Sequence, residues 1–382
     1  MRYFYELNLH IGCLRFITLK NVSIFTYIMD KKTDYKKIYK ESFNDSEEFL
    51  EMYFSKVYRD DEAMLLDIDG IPASGLLLKQ YMMNFHGITV PVGYICGAAT
   101  ARRMRSHGYM SELLLEALRK AYDSGDYLLT LKPADRPLYG YYDRFGFTTV
   151  FYIQEERYTS AHTFDDSDGI FSFSLDATDD RVREKFRILN SLRIGTLLFD
   201  NRDYDVIVED NRLDKGEIVS AFNTENQEVE AIAVAVRNEE RITVRDILYV
   251  TEQAREAVLG EVKRRFGEYP VTVITRPDDE SGVPIEARGM GRIVNVLAVL
   301  EAIASSNNKL RAAIRVHDHH LPQNSHIYII DNGCVTINDG FGGKLDLDVT
   351  QEVLTTIVFS APHVGSIFNL PTFRPFMTLM LE

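Results

Sequence analysis

Apolar residues recur at helical spacing near the start of the chain, where Tyr35, Ile38, Tyr39, Phe43, Phe49, Leu50 and Phe54 fall on one repeating face. Asn44-Asp45-Ser46 followed by Glu47-Glu48 places a capping signal in the middle, so residues 34–59 read as one or two helices. Three β-like runs follow, Ala63–Ile68, Ala73–Phe85 and Ile88–Thr100. They are separated by Asp69-Gly70 and His86-Gly87, dipeptides that suit tight hairpins. The period then returns to that of a helix over Gly108–Ser124, with Leu113, Leu114, Ala117, Leu118 and Ala121 on one face. Tyr127–Leu131 reads as a short buried strand, Tyr139–Arg144 as a helical turn and Phe147–Tyr158 as closing strands. This order predicts an α+β domain over residues 29–160.

A second unit, assigned to residues 161–280, opens after the polar run Asp165-Asp166-Ser167-Asp168-Gly169. Val182–Ile194 is amphipathic; Tyr204–Glu209, Glu217–Asn223, Val229–Arg237 and Ile242–Val250 read as strands. Glu252–Phe266 reads as a helix and Val271–Thr275 as one more strand. Meander, helix, strand echoes the first unit and predicts an internal repeat. Arg276–Pro284, with Pro277, Gly282 and Pro284, reads as a linker. The last unit, 286–382, has a helix near Asn295–Ser305, strands at Leu310–Val316, His326–Ile330, Cys334–Asn338 and Lys344–Asp348, and a helix at Thr350–Phe359.

Composition narrows the classes. The chain of 382 residues carries a formal charge of −14, which disfavours nucleic-acid binding, since phosphate contacts need basic surface. The same charge suits a cationic partner through steering. No apolar run approaches the roughly 18 residues of a membrane helix. The three cysteines, Cys13, Cys96 and Cys334, form no CxxC pair, so neither a disulfide framework nor a metal ribbon is expected and a cytoplasmic setting is. Arg2, Glu6, Arg15 and Lys20 break the apolar positions of residues 1–28, and Met29-Asp30-Lys31-Lys32 looks like a more natural start. Residues 1–28 are therefore expected to be a non-native or disordered extension. His317-Asp318-His319-His320 lacks the spacing of a metal site and is expected to be a surface turn.

The chemistry concentrates between Tyr94 and Phe147. A strand ending Ala98-Ala99-Thr100 feeds through Arg105-Ser106-His107-Gly108-Tyr109-Met110 directly into the helix. Such a turn points unpaired amides outward at the positive end of a helix, a cradle for an anion such as a pyrophosphate. Gly108 lets a ligand approach the backbone, and Arg105, with Arg102 and Arg103 nearby, supplies charge. By contrast, the start of Glu252–Phe266 has no glycine nest, and the second unit is not expected to bind the same ligand.

Gly97-Ala98-Ala99-Thr100 and Arg105-Ser106-His107-Gly108-Tyr109-Met110-Ser111 resemble the coenzyme A motif of the GNAT acetyltransferases, Arg/Gln-x-x-Gly-x-Gly/Ala. Met110 stands where that motif ends on a small residue, and Ser106 where glycine is common. Tyr142-Asp143-Arg144-Phe145-Gly146-Phe147 is similar to a second family element, Tyr-x-x-x-Gly-Phe. From about residue 30 onward the chain resembles the Eis-type (enhanced intracellular survival) branch, in which a GNAT domain is followed by a second, degenerate GNAT-like domain and a small α/β domain similar to sterol carrier protein. Ala287–Val296 and Leu370–Glu382 carry the C-terminal part of that resemblance.

The resemblance implies an acetyl-CoA-dependent N-acetyltransferase, without metal, acting on a polyamine, an aminoglycoside-like amine or a lysine. It implies that Ala98, Ala99 and Thr100 pair with the pantetheine arm and that Arg105–Ser111 hold the pyrophosphate. It also implies Tyr142 as general acid, the carboxylate of Glu382 as base or anchor, and association into a homo-oligomer. The apolar run Phe376–Leu381 suits a tail that packs inward. The alternative is a non-catalytic GNAT-derived scaffold or lipid-binding protein, for which Ser106 and Met110 would be signs of decay.

Overall fold

The computed structural model describes residues 30–165, 169–278, 281–359, 368 and 374–381. The expectation for residues 1–28 and the role given to Glu382 lie outside them.

The first unit begins with α1 (Lys31–Ser42), capped by the Asp30 carboxylate, and α2 (Glu47–Met52), capped by Ser46 Oγ. A π-helical turn, Tyr53–Val57, continues α2. The antiparallel strands β1 (Ala63–Ile68), β2 (Ile71–Phe85) and β3 (Ile88–Thr100) follow. Then come α3 (Tyr109–Asp123), β4 (Leu128–Leu131), α4 (Arg136–Asp143) and β5 (Thr148–Tyr158). The face of α3 expected from the sequence, Leu113, Leu114, Ala117, Leu118 and Ala121, is fully buried against Leu76, Leu78, Ile95 and Leu129. At about 25 cal/mol per Å², each such leucine contributes roughly 2 kcal/mol. The aromatic stripe of α1 and the π-turn (Tyr35, Tyr39, Tyr53, Phe54) covers the other face at Leu77 and Cys96.

The second unit comprises β6 (Phe171–Ser174), α5 (Asp180–Ser191), β7 (Leu197–Leu198), α6 (Asn201–Leu213), β8 (Glu217–Asn223), β9 (Val229–Arg237), β10 (Ile242–Tyr249), α7 (Glu252–Phe266) and β11 (Val271–Thr275). Tyr204–Glu209, expected as a strand, lies inside α6. Its apolar residues Tyr204, Ile207 and Val208 keep helical spacing, and a capping box between Asp200 and Asp203 starts the helix three residues before the apparent strand. The repeat is present in topology: an antiparallel meander, a helix, then a parallel partner, β3 with β4 and β10 with β11.

The third unit supplies β12 (Glu286–Ile293), α8 (Val296–Ser306), β13 (Ala312–His317), β14 (Ile327–Asp331), β15 (Cys334–Ile337), β16 (Leu347–Thr350) and α9 (Gln351–Phe359). β13 to β16 make a separate four-stranded sheet. β12 does not join it. It inserts antiparallel between β4 and β5, so a segment assigned to the C-terminal unit, where no strand is expected from the sequence, completes the N-terminal sheet. β5 in turn pairs with β11, and one twelve-stranded sheet runs through both repeats. β12 is exposed at Glu286 and Ala287 and buried from Gly289 to Ile293, and its mix of glycine, arginine and single apolar residues, with Arg292 fully buried, does not announce its partner.

Candidate active site

β3 and β4 run parallel from Val92↔Leu128 to Ile95↔Leu131, where β4 stops. β3 continues to Thr100 and leaves the edge Cys96–Thr100 free on that side while β2 holds the other. A bulge sits at this point, with Gly97 and Ala98 together facing Leu76. Gly97 has φ of +61°, and a Cβ there would fall 2.2 Å from Tyr35 Oη and 2.5 Å from Tyr53 Oη. Only glycine fits. Tyr35 donates to Gly97 O at 2.8 Å, so the bulge is fixed from behind by buried phenols whose pKa values burial pushes up. Cys96 is likewise raised to about 11, chiefly by burial, and stays a thiol.

The turn after β3 has Ser106 at φ +66° and Gly108, the N-cap of α3, at +85° with open space where a Cβ would be. No side chain caps α3, so its first-turn amides face outward. Arg105 turns back. Its Nε donates to Thr100 O at 3.1 Å and its Nη2 to Ser42 Oγ at 3.2 Å, while Arg102 bonds Glu41. These arginines shape the turn, and their charge remains beside it. His107 Nδ1 lies 2.7 Å from Arg105 O and its ring stacks on Tyr109. Met110 packs on the core under α3.

Ala98 packs toward α3 and Ala99 is buried toward Ile38, while Thr100 Oγ1 bonds Ser74 Oγ at 2.9 Å. Ser111 Oγ meets Tyr141 Oη at 3.3 Å and joins α3 to α4. Tyr142, on the last turn of α4, is buried beside Tyr141 and Phe147, and among the described residues its hydroxyl has no hydrogen-bond partner. Burial, with Tyr141 adding to it, pushes this phenol up to about 12. Ala98 on the edge of β3, Met110 at the start of α3 and Tyr141 and Tyr142 on α4 belong to one hydrophobic cluster, and the Ser111–Tyr141 contact ties the two helices together.

On the opposite face of β3, a narrow cavity of ≈ 30 Å³ is lined by Tyr81, Tyr94, Cys96, Asp203 and the tail residues Leu379–Leu381. A wider one of ≈ 580 Å³, between the α1–α2 turn, α6 and the second unit, is lined by Asp45, Glu155, Asp210 and Asp214 with Arg241, Arg245 and Arg288, and Leu379 and Met380 border it too. His317 bonds Asp348 and His320 meets Arg144 O, so the histidine turn does not converge on a point. Among the described residues no three potential ligands group around a metal position.

Residues 28–150 match the family model described as an acetyltransferase (GNAT) domain. The N-terminal third of this chain is a GNAT acetyltransferase domain. The chain is accordingly an enzyme of the N-acetyltransferase class. Solved structures with the same fold include a probable N-acyltransferase from Enterococcus faecalis (TM-score 0.77, 17% identity, 91% of this chain and 96% of that one). A GCN5-related N-acetyltransferase from Anabaena variabilis follows (0.71, 16%, 90% and 96%). Eis1 from Mycobacterium abscessus is a third (0.68, 13%, 91% and 96%). A search of curated protein sequences returns no match.

Two buried charged residues that tie distant parts of the chain together carry no simple sequence signal. Arg292, 0% exposed on β12, donates to Phe145 O at 2.6 Å just after α4 and pairs with Asp318 at 2.6 Å. A lone arginine within Met290–Val296 was the available hint. Asp246 of β10, 2% exposed and bound to Arg193, looks in sequence like any polar residue of an alternating strand.

Proposed function

We propose that this protein transfers an acetyl group from acetyl-coenzyme A directly to a primary amine, that of a polyamine, an aminoglycoside-like molecule or a lysine, as an Eis-type member of the GNAT class. The observation that carries the reading is the free edge of β3, Cys96–Thr100, opening beside the uncapped start of α3. The donor set fits the ligand: an extended arm can add to the edge, and a diphosphate can rest on the amides of Arg105–Ser111 beside Gly108. Acetyl-coenzyme A supplies the thioester.

In this reading an amide of Ala98–Thr100 takes the charge that develops on the carbonyl oxygen, a contribution of about 3–4 kcal/mol. Tyr142 stays protonated at neutral pH because of its burial and gives its proton to the leaving sulfur. An amine with pKa near 10.4 costs about 4.6 kcal/mol to neutralise at pH 7. The carboxylate of Glu382 is proposed as base or anchor. Its neighbours Leu379–Leu381 reach the cavity behind Cys96, which supports that assignment. The charge of −14 favours a cationic acceptor through steering, while the ≈ 580 Å³ cavity, where Arg245 pairs with Asp210 and Asp214, is of mixed charge. The C-terminal unit, likened to a sterol carrier, serves in this scheme to deliver the tail and β12, and the protein is proposed to act as a cytoplasmic homo-oligomer. Among the described residues no helix is long and apolar enough to cross a membrane.

The test is thiol release from acetyl-coenzyme A over a panel of amines, with the acetylated product weighed by mass spectrometry. Wild-type protein is expected to turn over, and Tyr142→Phe to lower kcat by about 10²-fold or more with acetyl-coenzyme A affinity retained. Binding of acetyl-coenzyme A without release on any amine would establish the non-catalytic alternative instead.

A further inference from the structure

The second unit repeats the splayed strands of the first without the amide cradle. β10 pairs with β11 only from Ile242↔Val271 to Val244↔Val273, then bulges and runs on to Tyr249. By strand order, the space between the diverging ends corresponds to the slot beside Cys96–Thr100. α7 begins instead after Thr251, whose hydroxyl takes the Ala254 N–H, whereas no side chain takes a first-turn amide of α3.

The chain's own tail fills this second slot. Phe376 is buried against Ile153 and Ile274, forms a parallel bridge with Thr196, and donates its N–H to Gly195 O at 3.0 Å. Arg193 and Arg276 approach its ring at 5.5 and 5.9 Å. Two residues on, Thr378 Oγ1 donates to Asp246 Oδ2 at 2.6 Å. The same carboxylate is held by both terminal nitrogens of Arg193, at 2.9 and 2.8 Å, and by Ile247 N at 2.7 Å. A neutralised carboxylate shielded from water makes this hydroxyl bond a strong one. Directly after it Leu379 adopts φ of +56°, an uncommon conformation for a leucine that redirects the tail toward β3. Leu379, Met380 and Leu381 then wall the space beside Tyr81, Tyr94 and Cys96, and Leu379 and Met380 border the wider cavity.

We propose that Asp246, in the splayed cleft of the second unit, is a positioning residue for acceptor binding. It clamps the tail through Thr378, so that Leu379–Leu381 form the acceptor-side wall behind Cys96. The cleft of the second repeat thereby grips a segment of the chain where the first repeat offers an edge to a ligand. The kinetic part of this proposal rests on the acetyl-transfer reading above; the clamp itself does not.

The experiment uses the full chain with Thr378→Val, which keeps the shape and removes the donor, Thr378→Ser, which keeps the donor, and Asp246→Asn. Amide hydrogen exchange is followed over residues 376–381, and KM is measured separately for the acceptor amine and for acetyl-coenzyme A. A bond to a charged, buried group corresponds to roughly tenfold or more, so Thr378→Val is expected to speed exchange at Leu379–Leu381 and raise the acceptor KM by about that factor. Acetyl-coenzyme A KM stays unchanged, Thr378→Ser behaves as wild type, and Asp246→Asn follows Thr378→Val. Unchanged exchange in Thr378→Val overturns the clamp. Faster exchange with an unchanged acceptor KM overturns the positioning role. If wild-type protein acetylates no amine, the functional reading falls and the exchange result alone judges the clamp.

Discussion

Replacing Arg292 by methionine removes a cation that nothing else in the core can substitute. The guanidinium is fully buried, and burial lowers its pKa against the opposing pull of Asp318 and Glu352. Nη2 pairs with Asp318 Oδ1 and Nη1 with Phe145 O, both at 2.6 Å. Removing one partner of a buried pair usually costs about 3–5 kcal/mol, because the other charge is stranded. Asp318 is not left bare, since His320 N, Leu321 N and Asn324 Nδ2 still donate to it at 3.0, 3.0 and 2.9 Å. The lower end, about 3 kcal/mol, is therefore expected for Arg292→Met in chemical denaturation. Adding Asp318→Asn should recover part of that loss, because the amide carries no charge to strand and its oxygen can still accept from His320 N and Leu321 N. The same change frees the carbonyl that anchors the turn after α4, so kcat should fall about tenfold if the lost bond to Phe145 O displaces Tyr142. Acetyl-coenzyme A KM should hold. In a Tyr142→Phe background the substitution should lower kcat no further. A loss below about 1 kcal/mol, or an undiminished effect on kcat in that background, would refute the reasoning.

Gly97→Ala forces a methyl into the phenols of Tyr35 and Tyr53 at a positive φ. Strain and overpacking together should cost about 2–4 kcal/mol by urea midpoint and weaken acetyl-coenzyme A binding measured by calorimetry. Asp126, fully buried with Oδ1 lacking a hydrogen-bond partner among the described residues, is raised to about 6 by burial, against the bond from Gln80. Its neutral form is favoured in the fold, so its contribution is present at acid pH and is lost as pH rises from about 4 through 6. Asp126→Asn should consequently stabilise by about 2 kcal/mol at pH 7.5 and by much less at pH 4, read by thermal melts at both. Tyr35, Tyr53 and Tyr81 are raised well above 10.0 by burial, so each stabilises the fold below that pH and loses its contribution as pH rises past it. The part of the tyrosinate absorbance that belongs to these three phenols, read as the difference between wild type and a Tyr→Phe variant at each, should appear only with unfolding.

The sequence by itself determined the local elements and the strand–turn–helix segment from β3 to α3. Periodicity gave α3 and its buried face, and turn dipeptides gave the hairpins β1–β2 and β2–β3. The run from Arg105 to Ser111 gave the turn and the outward amides of the helix start, whereas the bulge at Gly97 emerged only from the strand register. These features are legible because each depends on neighbours a few residues apart: a glycine that alone tolerates positive φ, a stripe at helical spacing, a cap three residues from its amide. α6 shows the limit even there, since Tyr204–Glu209 satisfies a strand pattern until the Asp200–Asp203 capping box is weighed. Only the tertiary structure decided that β12 crosses from the third unit into the first sheet, that Arg292 braces α4 from there, and that the second repeat holds the tail through Asp246. Those contacts join residues more than a hundred positions apart, and the pairing preferences of an apolar strand or a buried carboxylate are too general to name a partner. Chain folding chooses among them by total burial and by satisfaction of every buried polar group, which are properties of the assembled sheet and not of any segment.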